Sequence, residues 1–182
     1  MAKLRSFLII ALVLILTACG EKTVTVELPA SLLEGMDVES FAGQYREAKG
    51  FKKVTVNEDG SLTLVVTEEK YAAQMESMDE NAKVLYLAVG QESGVFQTVK
   101  RLDYNEDYTS LTLTVDKEAY EASDEDERVD EIIYISRLYQ AFALNTDGVI
   151  EINFIDENTG EIYKTDLYSA AGKIDETGEE AS

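Results

Sequence analysis

Val54-Thr55-Val56-Asn57-Glu58-Asp59-Gly60-Ser61-Leu62-Thr63-Leu64-Val65-Val66-Thr67-Glu68-Glu69-Lys70-Tyr71 returns 48 to 49 residues later as Leu102-Asp103-Tyr104-Asn105-Glu106-Asp107-Tyr108-Thr109-Ser110-Leu111-Thr112-Leu113-Thr114-Val115-Asp116-Lys117-Glu118-Ala119-Tyr120. Each copy reads as a strand, an Asn-Glu-Asp turn, an alternating strand and an acidic helix start. A period of this length marks a repeated supersecondary unit, here β-β-α. Leu62, Leu64 and Val66 fall on one face of the returning strand, as do Leu111, Leu113 and Val115, with Thr63 and Thr112 opposite. One buried and one wetter face suits an antiparallel sheet covered on one side.

The turns differ in a way that matters. Asp59-Gly60 supplies the left-handed backbone of a tight hairpin. The second copy has Tyr108-Thr109 there, which predicts a longer loop of different shape. Thr67 is placed to cap a helix whose apolar stripe, Tyr71, Met75, Met78, Ala82, Leu85 and Val89, recurs at steps of four and three. Such a stripe is read as core. The second helix starts at Asp116, is interrupted by Ser123-Asp124-Glu125-Asp126-Glu127, and resumes with Ile132, Ile135, Tyr139 and Phe142 on one face, to about Leu144.

Outward from the repeats, Thr23–Leu28 alternates as a strand ended by Pro29. Asp37 caps a helix to Lys49, with Val38, Phe41 and Tyr45 inward and Gly50 stopping it. A last hairpin joins 149–155 to 161–168. The expected organisation is a single α+β domain over 23–170. Its antiparallel sheet is built from two β-β-α repeats (about 51–94 and 97–145), flanking strands and the final hairpin 149–168. Helices pack on one face, about seven strands and three helices in all. Residues 171–182 read as an acidic disordered tail.

The N-terminus is a separate unit. Lys3 and Arg5 precede Phe7 to Leu16, an apolar run with the length of a signal-peptide core and too short to span a membrane comfortably. Leu16-Thr17-Ala18-Cys19 then has the form of a lipobox. Residues 1–18 are expected to be a signal peptide cleaved between Ala18 and Cys19, with Cys19 lipidated and 19–22 a short tether. The alternatives are a one-pass anchor or an ordinary secretory signal that ends near a cysteine. On the lipobox reading the protein is anchored by palmitate-like chains to the outer face of the cell membrane without spanning it, and the fold lies close to the headgroups.

Loss of residues 1–18 removes two cations and no acid, leaving 14 Lys and Arg against 36 Asp and Glu, a net charge of −22. Such a surface repels nucleic acid and anionic lipid, and nucleic acid is dropped as a partner. The open possibility is attraction of a cationic or envelope protein partner. Cys19 is the sole cysteine and histidine is absent. No thiol or imidazole remains for nucleophilic catalysis, disulfides or soft-metal ligation.

Asp103-x-Asn105-x-Asp107 has the opening spacing of a calcium loop, echoed by Asp156-x-Asn158-x-Gly160. A calcium loop of the EF type needs Gly at its sixth and Glu at its twelfth position. Counted from Asp103, these are Tyr108 and Thr114, so the template fails and turn chemistry is favoured. Calcium at Asp103, Asn105 and Asp107, or at Asp124 and Asp126, stays as the alternative. Residues 123–131 carry six acids with Arg128 as their only cation, more in keeping with a solvated loop than a site. Carboxylate-pair catalysis needs two facing acids in a cleft, and no pair stands out. Gly-rich phosphate loops and Ser-based nucleophile motifs are absent. No catalytic residue is assigned and no cofactor is required.

Several phrases together resemble a family of small, mostly uncharacterised lipoproteins of Gram-positive bacteria. They are Leu28-Pro29-Ala30-Ser31 with Glu34-Gly35-Met36-Asp37, the stretch Val54 to Ser61, Val115-Asp116-Lys117-Glu118-Ala119-Tyr120, and Glu157-Asn158-Thr159-Gly160-Glu161-Ile162-Tyr163. The resemblance runs over most of 19–168 and implies a membrane-anchored lipoprotein with no catalytic residues to carry over. Residues 123–136 depart from it, being acidic where the family is Gly-rich and apolar. The expected function is a non-catalytic ligand- or partner-binding module at the cell envelope. The alternatives are a carboxylate-dependent hydrolase of wall glycans and a structural partner in an envelope assembly.

Overall fold

The computed structural model describes residues 21–89 and 96–174. Ala18 and Cys19 lie outside the described residues, as do the end of the first repeat (90–95) and tail residues 175–182. Strand β1 is Thr23–Leu28, followed by a 3-10 turn at Ala30–Leu32 and helix α1 at Val38–Glu47. The Asp37 carboxylate caps α1, accepting from the Ser40 N–H at 3.1 Å, as its position predicts. Strands β2 (Phe51–Val56) and β3 (Leu62–Thr67) form the first hairpin, and α2 (Glu68–Ala88) follows, capped by the Thr67 hydroxyl at 3.2 Å from the Lys70 N–H.

The second unit is β4 (Val99–Tyr104), β5 (Ser110–Val115), α3 (Lys117–Glu121) and α4 (Asp126–Phe142). Strands β6 (Ile150–Asp156), β7 (Ile162–Tyr168) and β8 (Lys173–Ile174) complete the described elements. The α+β class is as read from the sequence. Its finer organisation differs: the two repeats lie in two sheets, an antiparallel β1-β3-β2 and a mixed β4-β5-β6-β7-β8. In the second sheet β5 and β6 run parallel, Ser110 opposite Glu151 through Val115 opposite Asp156. A parallel pair needs a long crossover, which α3 and α4 provide. The first repeat borrows its third strand from upstream, where β1 pairs antiparallel with β3 from Thr23 opposite Thr67 to Leu28 opposite Leu62. The eighth strand lies where the sequence reads as frayed tail, and the described helices number four because the acid run separates α3 from α4.

Each sheet carries its own core. Val26, Leu28, Leu62, Leu64 and Val66 form one, and Leu111, Leu113, Val115, Ile150, Ile152 and Phe154 the other. Two helices serve both. Tyr71, Met75 and Met78 of α2 pack on the first core, and Ala82, Leu85 and Tyr86 on the second. Helix α4 does the reverse, with Val129, Ile132 and Ile133 on the second core and Leu138, Ala141 and Phe142 on the first. The predicted stripe on α2 is thus one seam laid across two sheets. The helices are pinned to each other by the Tyr71 hydroxyl donating to the Phe142 carbonyl at 2.8 Å, and by Tyr86 bonding the Ser136 hydroxyl at 2.6 Å.

The two hairpin turns are closer in shape than expected. Asp59 Oδ1 accepts from the Ser61 N–H and hydroxyl, and Asp107 Oδ1 from the Thr109 N–H and hydroxyl. Gly60 has φ 84° and Tyr108 takes the matching place at φ 58°. The second turn closes one residue later, by the Asn105 N–H to Ser110 carbonyl instead of Asn57 to Ser61. A left-handed conformation in a bulky residue is costly. Tyr108 is held there because its ring is 1 % exposed among Tyr86, Tyr104 and Tyr139, and its hydroxyl donates to Asp79 Oδ1 at 2.7 Å.

Candidate functional site

The predicted calcium ligands are engaged locally. Asp103 pairs with Arg101 at 2.8 Å. Asn105 donates to the Thr109 hydroxyl at 2.9 Å and accepts from the Ser110 N–H at 2.9 Å. Asp107 serves the turn described above. In the echo motif, Asp156 Oδ1 accepts from the Asn158 N–H at 3.0 Å. Asp124 and Asp126 are exposed on another part of the chain. Among the described residues no group of three or more acids converges in a way that could hold a metal ion.

The acid run is not uniformly solvated. Glu125 is 3 % exposed and reaches back to the start of β4. It accepts from the Gln97 N–H at 2.5 Å, the Thr98 N–H at 3.1 Å, the Val99 N–H at 3.3 Å and the Thr98 hydroxyl. Burial raises its pKa, but those donors outweigh burial and hold the carboxyl below its ordinary value. Ser123 builds the bend that aims it, donating to the Tyr120 carbonyl and accepting from the Glu125 N–H. Of the other acids of the run, Asp124 precedes α4, Asp126 and Asp130 border the cavity beside Tyr120, and Glu127 and Glu131 lie on the outward face of the helix.

That outward face of α4 lines a groove of about 740 Å³, closed on its other sides by the Ala30–Leu32 turn and the β7–β8 connection. Glu34, Glu127, Asp130 and Glu131 line it with Tyr134, Ile135 and Tyr168. Arg137 ties the walls together, donating to the Ser169 carbonyl at 3.3 Å, the Ala170 carbonyl at 3.3 Å and the Ser31 hydroxyl at 3.2 Å. A smaller cavity of about 160 Å³ adjoins it and shares Asp130, Ile133, Tyr168 and Lys173.

In the smaller cavity two carboxylates are driven apart. Asp166, 8 % exposed, binds Lys164 at 2.8 Å and Lys173 at 2.7 Å. Burial opposes ionisation there, but the two ammonium groups hold its pKa below the usual value. Asp130 is pushed up, by burial first and by Asp126 next, against the pull of Lys164 and Lys173. The Tyr120 hydroxyl is raised by burial and by neighbouring Asp126, and Tyr168 is raised to about 12. Sequence reasoning singled out neither Asp166 nor Asp130. The signal was present in part: Lys164, Asp166 and Tyr168 alternate along β7 and so share a face.

No protein-family model, no curated protein and no solved structure matches this chain.

Proposed function

We propose that this chain is a non-catalytic, lipid-anchored module on the outer face of the cell membrane, and that it binds a cationic ligand or partner segment in the groove along α4. The groove carries the reading. It sets four carboxylates, against Arg137 and Lys173, around aromatic and apolar side chains, on a helix held at both ends by packing into two cores. Leu16-Thr17-Ala18-Cys19 supports the anchor, and no helix among the described residues is long and apolar enough to cross a membrane. Replacing Cys19 with Ala is expected to release the protein from membranes or block its processing. Unchanged retention would overturn the anchor. For the groove, an oligolysine peptide should bind the intact chain, and Glu127→Gln with Glu131→Gln should weaken binding several-fold. Equal binding by both proteins would remove the groove from the reading.

The contrast between Asp130 and Asp166 favours one alternative, a carboxylate-dependent glycan hydrolase with Asp130 as acid. Both line the smaller cavity, and an acid role needs a carboxyl that keeps its proton, the direction in which burial pushes Asp130. Release of reducing ends from wall glycan, abolished by Asp130→Asn, is the result this alternative requires.

A further inference from the structure

We propose that the end of the domain where β1, β2 and α2 all begin docks on anionic phospholipid headgroups. The proposal rests on the lipid-anchor reading and adds to it an orientation and a lipid class.

One strand pairing and two hydrogen bonds bring this end together. Thr23 lies opposite Thr67 in the β1–β3 ladder. The Glu68 N–H donates to the Lys22 carbonyl at 3.0 Å, and the Thr67 N–H to the Gly50 carbonyl at 2.9 Å. Gly50, at φ 99°, leaves no room for a side chain, since a Cβ there would come within 2.6 Å of the Lys70 Cβ. That close approach sets Lys49 and Lys52 beside Lys70 around a cavity of about 250 Å³ that Glu21 and Glu69 also line. A bulge in β2 between Phe51 and Lys53 leaves both Lys52 and Lys53 exposed. Lys22 is exposed beside them.

Five of the fourteen cations that follow residue 18 therefore gather at one end: Lys22, Lys49, Lys52, Lys53 and Lys70. The acids of that end are Glu21, Glu47, Glu68 and Glu69, and Glu21 is already paired with Lys52 at 2.5 Å. Elsewhere among the described residues nine cations face twenty-seven acids. This end therefore carries about +1 while the remainder is strongly acidic, and it is the end at which the described chain begins, at Glu21. Cys19 precedes Glu21 by two residues, a reach of about 7 Å when fully extended. This is within one Debye length, about 10 Å at ordinary salt, so the lysines feel the surface potential of an anionic leaflet. The acidic remainder is repelled from the same surface. Attraction at one pole and repulsion at the other hold the domain upright, with the α4 groove clear of the lipid pole.

The test uses the intact lipidated chain on vesicles of phosphatidylcholine with or without phosphatidylglycerol. Cys19 is the sole cysteine and its thiol is blocked by lipid, so a single introduced cysteine can be spin-labelled. Ala73→Cys reports on the lysine end, and Glu58→Cys, in the β2–β3 turn, reports on the opposite end of the sheet. With phosphatidylglycerol, the label at 73 should collide with a nickel-chelating lipid and the label at 58 should not. The contrast should fall several-fold without phosphatidylglycerol, to what the tether alone gives. It should fall likewise when Lys49, Lys53 and Lys70 are all changed to Glu, and persist when they are changed to Arg. In vesicle-bound protein, a contrast unchanged by the loss of phosphatidylglycerol or by the charge reversal, or no contrast at all, would overturn the docking and leave the anchor standing. Protein that fails to float with vesicles would overturn both.

Discussion

Glu125 sits in a run of six acids, yet it is the one whose carboxylate is spent on backbone donors. Three N–H groups at the start of β4 would otherwise lack partners, and a buried unpaired donor costs about 1–3 kcal/mol. An amide in its place offers one acceptor oxygen and turns an NH2 toward other donors. Glu125→Gln should therefore lower stability by about 3 kcal/mol, read as a fall in urea midpoint at constant slope. The pH dependence has a definite sign. A carboxyl whose folded pKa lies below its ordinary value near 4.5 contributes fully above that value and loses its contribution as pH falls through the folded one. The wild type should lose more stability than Glu125→Gln between pH 5 and 3. Equal acid limbs would show that Glu125 is not the latch. Tyr108 makes a related point, because nothing in its own side chain favours the left-handed region. Only the cluster of Tyr86, Tyr104 and Tyr139 with Asp79 explains it.

Among the elements, α2 and α4 have the largest task, since each spans both cores. Ala82 is fully buried where α2 meets the second core, and its small size sets how closely the helix packs. Ala82→Leu should destabilise by about 1–3 kcal/mol through overpacking, even though Leu is a good helix former. A neutral or stabilising result in a denaturant titration would mean the seam has slack. The same elements show how far local rules reach. The caps at Asp37 and Thr67 were legible because each rests on a side chain accepting from an N–H three residues on, and Asp116, read as the start of the second helix, caps it in the same way. The split between α3 and α4 was legible in outline, but the helix resumes at Asp126, inside the acid run, because Ser123 and Glu125 both turn back to make their bonds.

At the scale of the molecule the dominant quantity is charge. A chain this acidic repels itself, and salt relieves that repulsion. The ion pairs among the described residues are mostly exposed and contribute little. Stability in urea should therefore rise on going from about 20 mM to about 0.5 M sodium chloride. A fall would mean that pairs such as Asp166 with Lys164 and Lys173 outweigh the general repulsion. The polarity of the molecule matters as much as its total, because the lysine end and the acidic α4 face can meet different partners.

The amino-acid sequence by itself determined the β-β-α repeat, the buried faces of β1, β3 and β5 and the caps at Asp37 and Thr67, since these depend on residues two to four apart. Tertiary structure alone decided that the repeats occupy two sheets, that β5 pairs parallel with β6, and that Glu125 reaches β4. It also decided that Asp130 and Asp166 line adjoining cavities and that five lysines share one pole. Each of those depends on segments tens of residues apart meeting. Their attraction is a property of the packed arrangement, where burial and neighbouring charge are set, and not of any local pattern.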